Sequence, residues 1–373
     1  MSWEKVRLGD VLNYEQPTKY IVDSENYNKD FKTPVLTAGK SFILGYTDET
    51  DGIYNDLPVI IFDDFTADIK FVDFPFKVKS SAMKILKANE EKADIRFLFY
   101  KMQTLNIDCE QHKRYWISKF AIHEIELPPL STQKRIADIL DTADALRRKD
   151  QELLTKYDQL TQAIFIDMFG DPVKNEKGWE VKKLGEVCDK ITDGTHFSPP
   201  NVLSGIPYIT AKHIKQDVIN FYSNPTYISK QHHAEIYSRC TPKKGDVLYI
   251  KDGATTGIAA VNEFEFEFSM LSSLALIKPN KLKLNSYFLS SYLNNEIVKK
   301  ELIRSYMAGA AIKRFTLDKI NKFEIVLPSI DLQNSYEIKW KKLQESINNV
   351  KASHSTSLFS SLIQQAFNGT LVS

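Results

Sequence analysis

Two Lys-Arg-aromatic steps lie 200 residues apart in the chain, Lys113-Arg114-Tyr115 and Lys313-Arg314-Phe315. A lysine acts as a point charge on a phosphate, whereas the planar arginine fork fits either a phosphate or guanine O6 and N7. Solvated surface side chains are the alternative for any single one of these residues, but their recurrence at matched places favours a binding role. The pattern predicts that Lys113, Arg114, Lys313 and Arg314 contact nucleic acid. Because both segments share them, we expect phosphate contacts rather than base selection.

A second group of polar side chains lies at turns that follow β-rich stretches. "TAGK" (37–40) and "TAKHIK" (210–215) occupy equivalent places in the two halves of the chain. The turn "ITDGTH" (191–196) and the segment "GDVLYIKDGATTG" (245–257) add further polar groups. The additional candidate contacts are Thr37, Lys40, Thr210, Lys212, His213, Thr195, His196 and Lys251.

The main alternative is an enzyme, which would need recognisable catalytic motifs in the chain. An adenine N6-methyltransferase needs an Asn/Asp-Pro-Pro-aromatic step. In "LPPL" (127–130) and "SPPN" (198–201), the two prolines are not flanked by Asn or Asp before them and an aromatic residue after them. The glycines of "DGATTGI" (252–258) fit neither a dinucleotide fingerprint nor a P-loop. "DDFTADIK" (63–70) resembles the metal site of a nuclease, but such patterns arise by chance in a chain that is 26% charged. A coiled-coil scaffold without a DNA role remains a third possibility.

Metal chemistry has little support in the sequence. The three cysteines are scattered and form no CxxC pair, which argues against structural zinc and against a disulfide framework. His232-His233 lies near Cys240, but the spacing fits no usual zinc pattern and a fourth ligand is missing. We expect no metal and no cofactor.

The bulk composition indicates a soluble protein of two domains. The chain has 373 residues, is 43% hydrophobic, and carries 49 basic and 48 acidic side chains for a net charge of +1. A protein so nearly neutral does not coat nucleic acid indiscriminately, so any positive potential must be local. The apolar run "LPVIIF" (57–62) is too short to span a membrane, and the first ten residues lack the apolar core of a signal peptide. We therefore expect a cytoplasmic protein.

The repeated step belongs to a longer internal duplication. "WEKVRLGDV" (3–11) matches "WEVKKLGEV" (179–187), and "TPVLTA" (33–38) matches "IPYITA" (206–211). The offset grows from 173–176 near the start of each copy to 200 at its end, as expected when loops between shared elements gain residues. Each copy begins with short β-rich runs and turns and continues into helical patterns, which predicts α+β globular parts.

Each copy ends in a long stretch free of glycine and proline that follows a Leu-Pro step. The stretches 131–169 and 331–367 predict two helices of roughly 55–60 Å at ~1.5 Å per residue. Near-equal length and a 4/3 apolar rhythm predict that they pair as an antiparallel coiled coil, with the copies related by a pseudo-two-fold axis. Two core helices of ordinary domains are the alternative. The predicted seam residues are Ile136, Leu140, Leu154, Tyr157, Ile164, Tyr336, Trp340, Leu343, Ile347 and Val350.

Three segments resemble the specificity subunits of type I restriction–modification systems: "LPPLSTQKRIADILDTADALRRK" (127–149), "LGEVCDKITDGTH" (184–196) and "VLPSIDLQ" (326–333). The resemblance covers essentially the whole chain. It implies target-recognition domains at 1–128 and 178–327, and helical spacers at 129–171 and 328–373. Each domain would read one half of a bipartite, asymmetric site on double-stranded DNA, and the paired helices would set the gap.

The resemblance also implies partners and no chemistry of the chain's own. The helices and adjoining surfaces would hold two methyltransferase subunits, which methylate adenine N6, and an ATP-dependent endonuclease subunit would complete the assembly. "ITDGTH" (191–196) occurs only in the second copy, and "YEQPTKYI" (14–21) occupies its place in the first. We therefore expect the two domains to read different sequences.

Overall fold

The computed structural model describes residues 3–38, 41–109, 114–307 and 314–371. The chain divides into two compact units. Unit 1 comprises Met1–Gln151 together with Ser353–Ser373, and unit 2 comprises Glu152–Ala352. Each unit therefore contains a globular part and segments of the helical regions.

The globular part of unit 1 is built mainly from short strands, with two α-helices among its described residues. Its elements are β1 (Glu4–Arg7), α1 (Leu8–Val11), β2 (Leu12–Glu15), β3 (Thr33–Leu36), β4 (Ile43–Thr47), β5 (Val59–Asp63), β6 (Ile69–Val72), β7 (Lys77–Val78), β8 (Met83–Ala88), α2 (Ile95–Gln103) and β9 (Glu124–Leu127).

The strands of unit 1 form three small sheets. An antiparallel sheet has the order β2-β8-β5-β6, a second has the order β4-β3-β7 with β3 and β7 parallel, and β1 pairs with β9. The segment "VIIFD" of β5 is buried throughout, as expected for an apolar run in the middle of a sheet. One face of this sheet packs on α2, and the other forms a separate small core around Leu36 and Phe76.

The helical regions and the second globular part follow. The elements are α3 (Leu130–Phe169), β10 (Glu180–Lys183), β11 (Cys188–Asp193), β12 (Ile206–Ile209), β13 (Ile214–Lys215), β14 (Val218–Ile219), β15 (Tyr227–Ile228), α4 (Lys230–Tyr237), β16 (Val247–Ile250), β17 (Ala259–Val261), β18 (Ser269–Met270), β19 (Leu274–Pro279), α5 (Ser286–Asn294), α6 (Glu296–Met307), α7 (Leu317–Asn321), β20 (Glu324–Leu327), α8 (Ile330–Lys351) and α9 (Ser355–Phe367).

Unit 2 repeats the strand connectivity of unit 1. Its sheets have the orders β11-β19-β16-β17, β15-β12-β18 and β10-β20, and β12 pairs with β18 in parallel as β3 does with β7. Unit 2 also contains the β13-β14 hairpin, α4 and α6, which lie where the second copy is longer, and a helical turn at Trp116–Phe120 takes the place of α7 in unit 1. The α+β class and the internal duplication predicted from the sequence are confirmed.

The first long helix matches its prediction. α3 runs from Leu130 to Phe169, directly after Pro128-Pro129. It ends at Gly170, whose φ of +78° suits glycine and whose N–H donates to Ile166 O at 2.7 Å. Ile136 and Leu140 on its first half are fully buried in unit 1, and Phe165 and Phe169 at its end contact Tyr336 in unit 2.

The second long helix was predicted as one element over 331–367, and this prediction is wrong. The chain instead forms α8 and α9, separated at Ala352-Ser353-His354, and His354 has a left-handed φ of 54°. Ser353 donates its hydroxyl to Asp150 and accepts from Ser355 N, so a short polar turn replaces helical hydrogen bonds. The apolar rhythm weakens at this point in the sequence, but a propensity argument does not detect the tertiary contact with Asp150.

The break assigns the two pieces to different units. Within unit 1, α9 packs against the first half of α3: Ser353 meets Asp150, and the Arg147 guanidinium lies 4.8 Å from the Phe359 ring centroid, so the two helices run antiparallel. Within unit 2, Tyr336, Trp340 and Ile347 of α8 are buried. The remaining predicted seam residues, Leu154, Tyr157, Ile164, Leu343 and Val350, are half-buried.

Candidate nucleic-acid interface

Arg114 and Arg314 occupy equivalent, exposed places in the two units. The aromatic residue after each arginine is buried, and its backbone N–H donates to the residue that follows a central strand of the sheet, β5 in unit 1 and β16 in unit 2. Tyr115 N donates to Asp64 O at 3.1 Å, and Phe315 N donates to Lys251 O at 2.9 Å. The buried ring therefore fixes the backbone, and each guanidinium is presented from a rigid position. Lys113, Lys313 and Lys40, which the sequence also indicated, lie outside the described residues.

Beneath each arginine lies a buried Lys-Asp pair, but the two pairs are arranged in opposite ways. In unit 1 the acid follows the central strand: Asp64 is 3.4 Å from Lys84 Nζ, and both side chains are at most 5% exposed. In unit 2 the lysine follows the central strand: Lys251 Nζ is 3.4 Å from Asp193 of the neighbouring β11–β19 part of the sheet. A buried charge needs an opposite charge beside it to avoid a large desolvation cost. The chain meets this need with an aspartate after the central strand in unit 1 and with a lysine there in unit 2.

Asp193 is the centre of a basic cluster at the edge of unit 2. Its carboxylate is 7% exposed and contacts Lys251, Arg239 Nη2 at 3.2 Å and His196 Nε2 at 3.5 Å. Thr195 is 6% exposed, and its hydroxyl accepts from the Phe197 backbone. Of the predicted residues here, His196 is exposed, whereas the side chains of Thr195 and Lys251 are committed to the fold.

Arg239 was not indicated by the sequence. It follows α4 and reaches Asp193, which lies 46 residues earlier in the chain. Its guanidinium also donates to Gly194 O at 2.7 Å, and its side chain is 57% exposed. No repeat or motif marks an isolated arginine whose partner is so distant in sequence, so only the folded chain could identify it.

The candidates around 210–213 separate into one buried and two accessible side chains. His213 is 1% exposed; its Nδ1 accepts from Thr210 N at 3.0 Å, and its Nε2 lies 2.9 Å from Asn224 O. Burial lowers the pKa of His213, which keeps the ring neutral. The prediction that His213 contacts nucleic acid is therefore corrected: the ring holds its own turn. Thr210 is half-buried and Lys212 is exposed.

Thr37, the equivalent residue in unit 1, follows β3 and is half-buried. Its backbone N–H donates at 2.9 Å to the carbonyl of Phe42, the residue that directly precedes β4. This hydrogen bond joins the end of β3 to the start of β4 in unit 1.

The acidic motif "DDFTADIK" (63–70) is occupied by structural contacts. Asp63 accepts from the backbone of Phe65 at 2.8 Å and from the Thr66 hydroxyl at 2.7 Å, so it forms the turn that follows β5. Asp64 pairs with Lys84 and accepts from Trp116 N at 2.9 Å. Both carboxylates have protein partners, which disfavours the nuclease interpretation.

The most closely repeated geometry lies where each globular part meets its helix. The side chain of Gln133 donates to Pro128 O at 2.8 Å and Lys92 O at 3.1 Å, and it accepts from Asp94 N at 2.9 Å. Asp94 in turn caps the N-terminus of α2 by accepting from Arg96 N and Phe97 N.

Gln333 makes the same three bonds in unit 2. It donates to Pro328 O at 2.8 Å and Lys283 O at 3.1 Å, and it accepts at 2.8 Å from the backbone of Asn285, the residue that caps α5. Both glutamines are fully buried. We call these two contact sets the helix roots. They fix the register of helix against globule identically in both units, because a buried amide has no alternative partners.

Comparison with known proteins agrees with this architecture. The family described as "Type I restriction modification DNA specificity domain" matches residues 1–156 and 176–352. The chain is 30% identical over 350 residues to the specificity subunit of the type I restriction enzyme EcoR124I/EcoR124II of Escherichia coli. This alignment covers 88% of this chain and 84% of that protein. It is 27% identical over 253 residues to the MjaIX specificity subunit of Methanocaldococcus jannaschii, covering 61% and 56%.

A solved structure shows the same fold. The crystal structure of a type I restriction–modification S subunit from M. genitalium matches with a TM-score of 0.69 at 14% identity, covering 98% of this chain and 96% of that one. Among the residues that the structure describes, no helix combines the length and apolar character needed to cross a membrane. With the family match over both copies and the duplicated fold, the chain belongs to the DNA specificity subunits of type I restriction–modification systems.

Proposed function

We propose that unit 1 and unit 2 each read one half of a bipartite, asymmetric DNA site. The observation that carries this proposal is the contrast between identical helix roots and unlike sheet ends. The shared helix roots support the same attachment of each globular part to its helix. Different base preferences are supported by the different charged groups at the sheet ends, Asp64–Lys84 in unit 1 and Asp193–Lys251–Arg239 in unit 2. The exposed Arg114 and Arg314 are assigned to phosphates, because both units present them in the same way.

The helices act in this proposal as a spacer and as a docking surface. α3 has 40 residues, so it is roughly 60 Å long at ~1.5 Å per residue. Major-groove faces on one side of B-DNA repeat at about 34–36 Å, which lies within that length. The spacer sets the number of unread base pairs between the half-sites.

Exposed leucines support the docking role of α3. Leu146, Leu153 and Leu160 recur at seven-residue intervals and are 43%, 42% and 44% exposed. A seven-residue spacing places side chains on one face of a helix, and apolar side chains left exposed in this pattern fit a partner helix. We assign this face to the methyltransferase subunits, two of which would bind the duplicated chain, and an ATP-dependent endonuclease subunit would complete the assembly.

The chain itself would bind DNA without catalysing a reaction or carrying a cofactor, and the complex would work in the cytoplasm. Adenine N6 methylation would be carried out by the partner. The alternative, a catalytic methyltransferase or nuclease subunit, is disfavoured because the matched family is a DNA specificity domain and the acidic motif is used within the fold.

The decisive experiment is co-expression with the cognate methyltransferase subunit, followed by genome-wide mapping of N6-methyladenine. We expect one asymmetric motif with two specified parts and a fixed gap. Deleting one or two turns from both helical spacers should shorten the gap and leave both specified parts unchanged. A palindromic motif, or methyl transfer by the isolated chain, would contradict the proposal.

A further inference from the structure

Arg239 stands at the mouth of a cavity of about 270 Å³ in unit 2. The cavity is lined by Thr195, His196, Phe197, Glu235, Ile236 and Arg239. The Phe197 side chain is 49% exposed, so the mouth is open to solvent and presents an apolar surface next to charged groups.

The arginine is held from one side. A single nitrogen, Nη2, donates both to Asp193 Oδ1 at 3.2 Å and to Gly194 O at 2.7 Å. The backbone at Gly194 packs so closely against β18 that an added Cβ would lie 1.9 Å from Met270 O, and Thr195 N donates to the same carbonyl at 2.9 Å. Both acceptors are therefore fixed by the sheet, and they orient the guanidinium through one of its nitrogens, which leaves the other N–H groups available to a ligand.

The charges at the cavity mouth favour a base edge over a phosphate. Asp193 balances only one of the two permanent cations that it contacts, Lys251 and Arg239, so the cluster keeps a net positive charge. Glu235, however, places a carboxylate in the same lining, and a carboxylate repels a phosphate. In the major groove, guanine offers the acceptors O6 and N7, and cytosine offers the N4 amino donor. An arginine beside a glutamate matches both partners of a G·C pair.

We propose that Arg239 and Glu235 read the major-groove edge of a G·C base pair in the half-site of unit 2, with Asp193 as the residue that positions Arg239. The inference rests on the proposed function, since it requires unit 2 to read DNA. In unit 1, the Lys-Asp pair at the corresponding place is more deeply buried and Asp64 contacts a lysine and a backbone N–H, so the reading pair belongs to one half-site only.

The test compares Arg239→Ala and Glu235→Gln with Arg304→Ala, each co-expressed with the cognate methyltransferase subunit. Arg304 is a matched control because it is a 75% exposed arginine of the same unit, paired with Glu301 on α6. Methylation maps identify the half-sites, and binding is then measured on duplexes that carry each substitution at every position of the wild-type motif. We expect Arg239→Ala to lower discrimination at one G·C position by about 10- to 100-fold. Glu235→Gln should relax the same position less, and the other half-site should not change.

Each outcome bears on the proposal. Equal weakening of all sequences with a flatter salt dependence would make Arg239 a phosphate contact and overturn it, as would unchanged specificity or relaxation at an A·T pair. If Arg239→Ala fails to fold in a thermal melt, Glu235→Gln still decides, because Glu235 is exposed and its isosteric amide preserves packing. Absence of any sequence-specific methylation by the wild-type complex would instead refute the proposed function.

Discussion

Unit 1 and unit 2 share their helix roots almost bond for bond, yet they differ at the ends of their central strands. Gln133 and Gln333 each bridge a proline carbonyl, a loop carbonyl and the backbone of the residue that caps α2 or α5. At the ends of the central strands, Asp64 of unit 1 pairs with the buried Lys84, whereas Asp193 of unit 2 contacts both Lys251 and the exposed Arg239.

The difference shows which parts of a duplicated chain can diverge. A root joins two rigid elements through buried polar atoms, and any substitution there leaves unsatisfied groups. At the end of a central strand, a buried charge needs only an opposite charge beside it, and several arrangements of lysine, arginine and aspartate supply one. The root therefore keeps the assembly geometry, and the sheet end is available for specificity.

The largest expected effect would come from breaking the buried Lys84–Asp64 ion pair of unit 1, and the Lys251–Asp193 pair of unit 2 is the comparison. Lys84→Met leaves the Asp64 carboxylate buried with only a backbone donor, so we expect unit 1 to lose about 3–5 kcal/mol of unfolding free energy. Lys251→Met should cost unit 2 only about 1–2 kcal/mol, because Arg239 still contacts Asp193. Hydrogen exchange of β5 and β16 amides measures each unit separately.

Lys87→Met is the matched control for this comparison. Lys87 lies on the same strand as Lys84, but it is more exposed and pairs with Asp56 at the surface, so the change should be below about 1 kcal/mol. Equal losses for Lys84→Met and Lys251→Met would show that Arg239 does not compensate for the missing lysine.

A somewhat smaller effect is expected at the helix roots, and it should be the same in both units. Gln133→Ala and Gln333→Ala each leave one backbone N–H and two carbonyls without their side-chain partner, at a cost of about 2–3 kcal/mol. Thermal unfolding with hydrogen exchange at α2 and α5 would measure the two losses. Gln162→Ala, an exposed position on α3, should change almost nothing. A difference of more than about 1 kcal/mol between the two roots would contradict their equivalence.

The shared arginines should affect DNA affinity without affecting sequence choice. Arg114→Ala with Arg314→Ala should weaken binding by about tenfold for all duplexes and reduce the slope of log affinity against log salt by about two. Each single substitution should contribute half of that slope change, since both side chains are presented alike. Titrations of wild-type and scrambled duplexes at several salt concentrations measure this, and Arg135→Ala on α3 is the exposed control. A changed base preference would reassign these arginines to base reading.

The smallest expected effect distinguishes unit 2 by its pH dependence. Burial raises the pKa of Asp217 from 3.8 to about 6, although the carboxylate accepts from Ser290 and Asn294. An acid whose pKa is higher in the folded state takes up a proton on folding between these values, so its contribution to stability falls as pH rises from about 4 to about 6.

Asp217→Asn should remove this loss. We expect the variant to match the wild type near pH 4 and to exceed it above pH 6 by on the order of 1 kcal/mol, since the site is partly exposed. Asparagine also tolerates the φ of 60° at this position. Chemical unfolding at several pH values tests the difference, and a variant less stable at pH 8 would show that the ionised carboxylate is favourable here.

The sequence predicted the duplication, the α+β class and the first long helix, because these depend on local patterns that recur along the chain. It also placed Arg114 and Arg314 at equivalent positions. It did not predict that His213 and Thr195, which have the residue types of surface contacts, are buried. Residue type alone does not reveal burial, because a polar side chain is tolerated inside whenever nearby groups satisfy it. Lys251 was indicated as a contact for the same reason, and its ammonium is instead paired with Asp193.

What the sequence determined by itself is the plan of the molecule: two related globules, the Leu-Pro entry to each helix, and Gln133 and Gln333 at matching places after it. These features follow from periodicity, from proline geometry and from comparison of the chain with itself. Only the tertiary structure decided that the second helix breaks at His354 and that Arg239 meets Asp193. Both depend on contacts between segments far apart in sequence, and the free energy of such contacts is determined by packing rather than by local propensity.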